Sequence, residues 1–174
     1  MKGIMFTEKM FIAVIEGRKN QTRRVISKLP EKAQLIGKGI TDFTTFTHPE
    51  NDTTMITGVY PRYRTGEIVY LKEPYMPYPI DYEKPFYRYG VADPVEATKV
   101  FPWKNKMFMP EKYSRYKIKI TRIRVERVND ISLEDAIGEG FNHPGEFHNI
   151  WISLHGMASL SANPYVFVYE FKVQ

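Results

Sequence analysis

The sequence contains no cysteine, which excludes disulfide bonds, thiolate catalysis and sulfur-ligated zinc. Its four histidines show no metal-binding spacing, such as two histidines four residues apart beside a glutamate. We therefore expect neither a metal site nor a bound cofactor.

Long apolar segments are also missing. No stretch reaches the roughly 18 consecutive apolar residues of a membrane-spanning helix, and the first residues lack the apolar core of a signal peptide. These absences predict a soluble, cytoplasmic protein without a membrane partner.

The composition suits one domain with a substantial core. The 174 residues are 43% hydrophobic, a length and composition more typical of one domain than of two. Lysine and arginine number 25 against 20 aspartates and glutamates, which gives a formal net charge of +5. Because net charge influences association, this excess favours a polyanionic partner such as a nucleic acid.

The positive charge is most concentrated just after the first predicted helix, where Arg18, Lys19, Arg23 and Arg24 surround Thr22. Two functions fit this cluster. It could bind phosphate at the surface, or it could form a pocket in which a deprotonated lysine activates the threonine hydroxyl. The structural alternative is a turn whose lysine faces water and whose threonine bonds to a neighbouring carbonyl.

Helix signals occur at three places. Thr7 can cap a first helix, which Gly17 ends. Ser132 begins a second helix that ends around Gly138, and this places Glu139 at the helix exit. A third helix carries apolar residues at helical spacing: Phe147, Ile150, Trp151 and Leu154.

Strand signals occupy much of the remaining sequence. Residues 40–60 alternate around a polar turn and predict a hairpin, while 68–71 and 165–171 have the composition of buried strands. In the segment that follows residue 115, the apolar alternation slips by one position near Thr121. Such a slip predicts a β-bulge in one long, bent strand.

Residues 74–110 are rich in proline and tyrosine, and we expect a long excursion with one short strand at 86–89. Several strands, three helices and no regular alternation of strand and helix predict an α+β domain with a twisted or barrel-like sheet. This single domain would span residues 1–174.

A set of segments, in a fixed order, carries a family resemblance: 17–26 (GRKNQTRRVI), 61–74 (PRYRTGEIVYLKEP), 103–104, 109–110, 114–115, 118–128, 130–136, 139–140 and 163–168. Together they resemble the ASCH domain family of the PUA-like superfamily, and its phage and prophage members in particular. The resemblance covers nearly the whole chain. It implies a mixed, mostly antiparallel PUA-like β-barrel with about three surrounding helices, encoded by a bacterial host or a phage.

The same resemblance implies three possible functions. Some members of the family resemble RNA-binding modules, some are reported as ribonucleases, and one bacterial branch is similar to an amidohydrolase acting on N4-acetylcytidine. The catalytic lysine, threonine and glutamate of that branch match Lys19, Thr22 and Glu139 by position. Relative to that shorter branch, residues 40–60 and 74–110 are insertions.

These three residue types suffice for acyl transfer. Neighbouring arginines and partial desolvation would lower the pKa of Lys19, which could then take the proton of Thr22. Glu139 could pass a proton to the departing amine. The alternative for Glu139 is an exposed carboxylate or a surface ion pair with Arg24.

The leading interpretation is a nucleotide- or RNA-binding domain with a basic cleft, with hydrolysis of N4-acylated cytidine or of RNA as alternatives. A cationic cluster would hold phosphate, and we expect Trp103 to stack on a base. For Arg115 the alternative is protection of a strand edge. The predicted nucleotide-binding residues are Arg18, Arg23, Arg24, Lys72, Trp103, Lys104 and Arg115.

Overall fold

The computed structural model describes these parts of the chain: residues 1–27, 29–30, 32–38, 43–50, 53–77, 85–88 and 103–174. The tip of the predicted hairpin at 51–52 and most of the predicted excursion, residues 78–84 and 89–102, lie outside them.

The described residues contain ten strands: β1 (Gly3–Met5), β2 (Gln21–Val25), β3 (Gln34–Lys38), β4 (Thr44–Glu50), β5 (Thr53–Val59), β6 (Ile68–Lys72), β7 (Tyr75–Met76), β8 (Phe86–Tyr87), β9 (Lys117–Arg127) and β10 (Tyr165–Val173). They also contain four α-helices: α1 (Glu8–Ile15), α2 (Leu133–Gly138), α3 (Pro144–His155) and α4 (Met157–Ala162). None of these helices is long and apolar enough to cross a bilayer.

The main sheet has five strands in the order β1-β6-β9-β10-β2. Its pairs are antiparallel except for β1 with β6. A three-stranded sheet, β3-β4-β5, and a two-stranded sheet, β7-β8, complete the strand pairing in the described residues. The α+β class with mixed, mostly antiparallel sheets is therefore confirmed. In the same residues β1 and β2 are edges of the main sheet, and no pairing closes it into a barrel.

The predicted strands are found where their sequence patterns lie. The predicted hairpin corresponds to β4 and β5, which pair antiparallel along their length. The bulge in β9 is also confirmed: Ile120 and Arg122 face successive residues of β10, so Thr121 is the extra residue. The strand predicted at 86–89 is shorter, since β8 ends at Tyr87.

The three predicted helices are confirmed, the first two of them at the capping residues that indicated them. The Thr7 hydroxyl accepts the Met10 N–H at 3.4 Å, and the chain leaves α1 through Gly17 with φ of +75°. The Ser132 hydroxyl accepts the Asp135 N–H at 3.1 Å, and Glu139 directly follows α2.

The fourth helix, α4, differs from the prediction of about three helices. Gly156 adopts φ of +83° between α3 and α4, and Asn163 ends α4 in the left-handed conformation. The helix has six residues and none of them is buried, so it has no apolar stripe that a sequence pattern could show. Its position is fixed partly by Trp151, whose indole N–H donates to the Ser159 hydroxyl at 3.2 Å.

Strand β10 separates two hydrophobic cores. Phe167, Tyr169 and Phe171 face the larger core, which α1 covers, while Val166 and Val168 face a smaller core under α2 and α3. Because successive side chains of a strand point to opposite faces, β10 is buried on both sides. This explains why its sequence is a continuous apolar run. It also places β2, the neighbour of β10, beside both α1 and α2.

Candidate active site

The charged segment lies between two helices and is bound to both. The Lys19 N–H donates to the Ala13 carbonyl of α1 at 2.9 Å, and the Asn20 N–H donates to the Gly138 carbonyl of α2 at 2.9 Å. The side-chain amide of Gln21 donates to the Asp135 carbonyl at 2.6 Å. These bonds hold the start of β2 against the C-terminal end of α2.

Lys19 and Glu139 form a buried ion pair at this junction. Only 1% of Lys19 and 3% of Glu139 is exposed. The Lys19 ammonium donates to Glu139 Oε2 at 2.5 Å and to the Glu139 backbone carbonyl at 2.9 Å. The alternatives of a solvated turn and of an exposed carboxylate paired with Arg24 are therefore wrong.

Arg23 holds the other oxygen of the same carboxylate. Its Nη1 donates to Glu139 Oε1 at 3.2 Å, while its Nη2 donates to Asp135 Oδ2 at 2.9 Å and to Glu126 Oε2 at 3.0 Å. The side chain is fully buried. Arg124 also pairs with Asp135 and Glu126. In this arrangement Arg23 fixes the orientation of Glu139 and faces the protein interior.

Burial lowers the pKa of Lys19. The main cause is loss of hydration, which penalises the charged ammonium, and the positive charges of Arg24 and Arg23 act in the same direction. The carboxylate of Glu139 opposes these effects but does not cancel them. Lys19 is thus a stronger candidate for a neutral base than an ordinary surface lysine.

Thr22 lies in β2 beside this pair and lines a cavity of about 210 Å³. Glu139 contributes to the same lining, together with the aromatic side chains Phe6, Phe147 and Trp151. Within the described residues, the Thr22 hydroxyl makes no hydrogen bond to protein. The cavity therefore combines an available hydroxyl, a carboxylate and apolar walls, which is the composition of a small-ligand site.

His155 and Arg24 complete the rim of the cavity. The His155 ring packs on Trp151 with a centroid separation of 4.4 Å, and both residues line the cavity. Arg24 places its guanidinium 5.6 Å from the Phe6 ring centroid and donates to the Met5 carbonyl at 2.8 Å. Sequence reasoning missed Phe6 and His155, because neither stands near the charged segment in the chain.

The four cations of that segment thus have separate environments. Lys19 and Arg23 are buried against carboxylates, Arg24 lines the cavity, and Arg18 is exposed and pairs with Glu16. They do not form one continuous cationic surface.

The other predicted nucleotide-binding residues do not line the Thr22 cavity. Arg115 forms a two-pronged ion pair with the buried Glu73, with bonds of 2.8 and 2.5 Å. Lys72 donates to the Met107 carbonyl at 2.7 Å. Trp103 is half-buried, and Lys104 is exposed and bridges to Tyr75 through its backbone. Among the residues that the structure describes, no group of His, Asp and Glu could hold a metal ion.

Gly140 makes the close approach of the Glu139 turn to Lys19 possible. It has φ of +88°, which an L-residue adopts only with strain, and a Cβ there would lie 3.4 Å from Lys19 Cβ. We expect Gly140→Ala to lower the free energy of unfolding by about 1–2 kcal/mol in urea denaturation. The control is Gly37→Ala in β3, where φ is not positive and no atom lies within 4 Å. Equal losses in the two variants would contradict this explanation.

The comparisons with known proteins give little further information. No protein-family model matches the chain, and no curated protein matches it. Among solved structures, the chain is similar to the crystal structure of protein EF3133 from Enterococcus faecalis V583, described under the family model DUF984. The two share 12% sequence identity over 99% of this chain and 80% of that chain, with a TM-score of 0.45. A similarity this low carries no argument about function.

Proposed function

We propose that this chain is a PUA-like ASCH domain protein that binds a cytosine-type base in the Thr22 cavity and hydrolyses an acyl group on its exocyclic nitrogen. The observation that carries the proposal is the buried Lys19–Glu139 pair beside Thr22, with its Nζ–Oε2 distance of 2.5 Å. Thr22 and Glu139 line one small cavity although they are distant in sequence, and Lys19 is bonded to Glu139 directly behind that lining. These are the three residues that the family resemblance implies.

The positions of the cations favour this function over a phosphate clamp formed by the charged segment. Arg23 is directed inward and bonds to three carboxylates, and Arg18 pairs with Glu16 at the surface. Lys19 has no exposed ammonium. Three of the four cations are therefore already paired with carboxylates, whereas Arg24 lines the cavity and pairs with no carboxylate among the described residues.

The proposed reaction begins when the Thr22 hydroxyl oxygen attacks the acyl carbon, and neutral Lys19 takes the hydroxyl proton. The tetrahedral intermediate collapses as the C–N bond breaks. The proton passes from Lys19, through Glu139, to the departing amine nitrogen. Water then attacks the resulting ester and gives a proton to Lys19. The ester C–O bond breaks, Lys19 returns the proton to the Thr22 oxygen, and the carboxylic acid leaves.

The cavity dimensions support a base-sized ligand. At about 210 Å³ the cavity is smaller than the roughly 300–1,000 Å³ of sites for drug-sized molecules. Its walls include Phe6 and Trp151, and aromatic faces stack on bases that are not paired in a duplex. A single base with its acyl group fits these walls better than a double helix does.

The edges of the main sheet support a PUA-like, barrel-like curvature. Residues 3–5 of β1 and 24–25 of β2 line one cleft, although the two strands are at opposite ends of the strand order. Arg24 reaches across from β2 to the Met5 carbonyl at the end of β1. These contacts between the two edge strands support the proposal of a PUA-like sheet that curls toward a barrel.

The assay that tests this function uses N4-acetylcytidine and measures cytidine release by chromatography. We expect turnover by the wild-type chain and none by the same protein after heat denaturation. If purified, folded protein releases no cytidine at any pH from about 6 to 10, the proposed activity is wrong.

The pH dependence of this activity follows from Lys19. A protonated ammonium cannot take the Thr22 proton, so kcat/KM should rise with pH as Lys19 loses its proton, and then level off. Because burial lowers the pKa of Lys19, the midpoint should lie below the value of about 10.4 for ordinary lysine. Initial rates from about pH 6 to 10 measure this profile, and Lys19→Met should remove the rise. A rate that falls steadily over this range would contradict the role of Lys19.

A further inference from the structure

A second and larger cavity adjoins the Thr22 cavity. This cleft has a volume of about 770 Å³ and lies between β1, β2 and the hairpin strand β5. Met5 and Arg24 line both cavities, so a ligand in one can extend past these two residues into the other. The reaction proposed above uses none of the space in this cleft.

The charge in the cleft has one sign. Arg24 and Arg62 are the charged residues among its described lining, and no carboxylate belongs to that lining. Both arginines are exposed, and within the described part of the chain neither pairs with a carboxylate. By contrast, Arg23, Arg115 and Arg124 each bind at least one carboxylate. The cleft thus presents two arginines whose charge no carboxylate of the described residues pairs with.

The remaining polar groups of the cleft are neutral donors and acceptors. They include the hydroxyl groups of Ser27, Thr57 and Tyr60. At the mouth, Tyr60 is 71% exposed and its ring packs on Phe43 with a centroid separation of 4.7 Å. An arginine guanidinium binds phosphate through two parallel N–H donors. An exposed aromatic ring can stack on a base.

We propose that this cleft binds the phosphate of a nucleotide whose base occupies the Thr22 cavity, with Arg24 and Arg62 as the phosphate ligands. The proposal rests on the proposed function and specifies its substrate class: a nucleoside phosphate, free or within a single strand, in preference to a bare nucleoside. Arg24 links the two cavities, since it lines both and its guanidinium lies over the Phe6 ring of the Thr22 cavity. Arg62 lines this cleft but not the Thr22 cavity, so a substitution of Arg62 tests the phosphate site separately from the catalytic site.

The test measures binding by isothermal titration calorimetry, with cytidine, cytidine 5′-monophosphate and a short single-stranded oligocytidylate as ligands. For the wild-type chain we expect the monophosphate to bind about tenfold more tightly than cytidine at low salt. Arg62→Gln should remove most of this difference. The matched control is Arg64→Gln, since Arg64 is exposed two residues away and does not line the cleft, and it should retain the difference.

These measurements test phosphate binding separately from hydrolysis, because binding can be measured whether or not the ligand is hydrolysed. Equal affinity for cytidine and its monophosphate, or equal losses in the two arginine variants, would overturn the phosphate site even if acetylcytidine is hydrolysed. A phosphate preference that depends on Arg62, without any hydrolysis, would retain the site and reject the reaction. Tighter binding of the oligonucleotide than of the monophosphate identifies a strand as the ligand, and equal binding identifies a free nucleotide.

Discussion

Thr22→Ala is expected to reduce kcat for N4-acetylcytidine by at least about a thousandfold, the scale of loss when a covalent nucleophile is removed. The variant removes the hydroxyl that would attack the acyl carbon, and it leaves the Lys19–Glu139 pair in place. Thr22→Ser should keep measurable activity because it retains a hydroxyl at the same position of β2. Cytidine release under saturating substrate measures the effect.

The matched control is Thr44→Ala, which makes the same chemical change in another strand. Thr44 is 1% exposed in β4 and lines neither the Thr22 cavity nor the adjoining cleft. Its hydroxyl is buried and has no hydrogen-bond partner among the described residues, so its removal should leave activity and folding nearly unchanged. If Thr22→Ala and Thr44→Ala have similar activity, Thr22 is not the nucleophile.

Glu139→Ala is expected to cost about 3–5 kcal/mol of folding free energy, the range for breaking a buried ion pair by removing one partner. Lys19 would keep a buried ammonium without its carboxylate, and Arg23 would lose one of its three acidic partners. Chemical denaturation followed by circular dichroism measures the loss. This variant should also be inactive, but the stability measurement does not depend on knowing the substrate.

Two further variants show whether the cost comes from the uncompensated charge. Glu16→Ala removes a carboxylate that pairs with Arg18 at the surface, and it should cost less than about 1 kcal/mol. The double variant Lys19→Met with Glu139→Gln removes both charges and should recover part of the stability lost in Glu139→Ala. A Glu139→Ala loss no larger than that of Glu16→Ala would mean that the buried pair is not a stabilising contact.

The local features of this fold could be predicted from the sequence because their causes are local. Ser132 and Gly138 indicated where α2 begins and ends, and this placed Glu139 at the helix exit. The slip of apolar alternation located the bulge at Thr121, since alternation depends only on adjacent residues. In contrast, α4 is short and none of its six residues is fully buried, so no periodic pattern marks it.

The environment of the charged segment could not be predicted in the same way. Lys19 and Glu139 are 120 positions apart, and Arg23 and Glu126 are 103 apart. A lysine or an arginine can be buried only if carboxylates from other segments pack against it. Because those carboxylates are far away in sequence, residue spacing does not predict which cations are buried. The same limit applies to Arg62, which lines one cleft with Arg24 although the two are 38 positions apart. The four cations that are clustered in sequence therefore have different environments in space: Lys19 and Arg23 are buried against carboxylates, Arg18 pairs with Glu16 at the surface, and Arg24 lines both cavities.

The most direct test of the central claim is to detect the acyl group on Thr22. We would mix the wild-type chain with N4-acetylcytidine, stop the reaction in acid within the first turnover, and analyse proteolytic peptides by mass spectrometry. The proposed reaction predicts one acetyl group on the peptide that contains Thr22, and its absence from the same peptide of Thr22→Ala. Cytidine release in the first turnover without acetylation of that peptide would contradict covalent catalysis by Thr22.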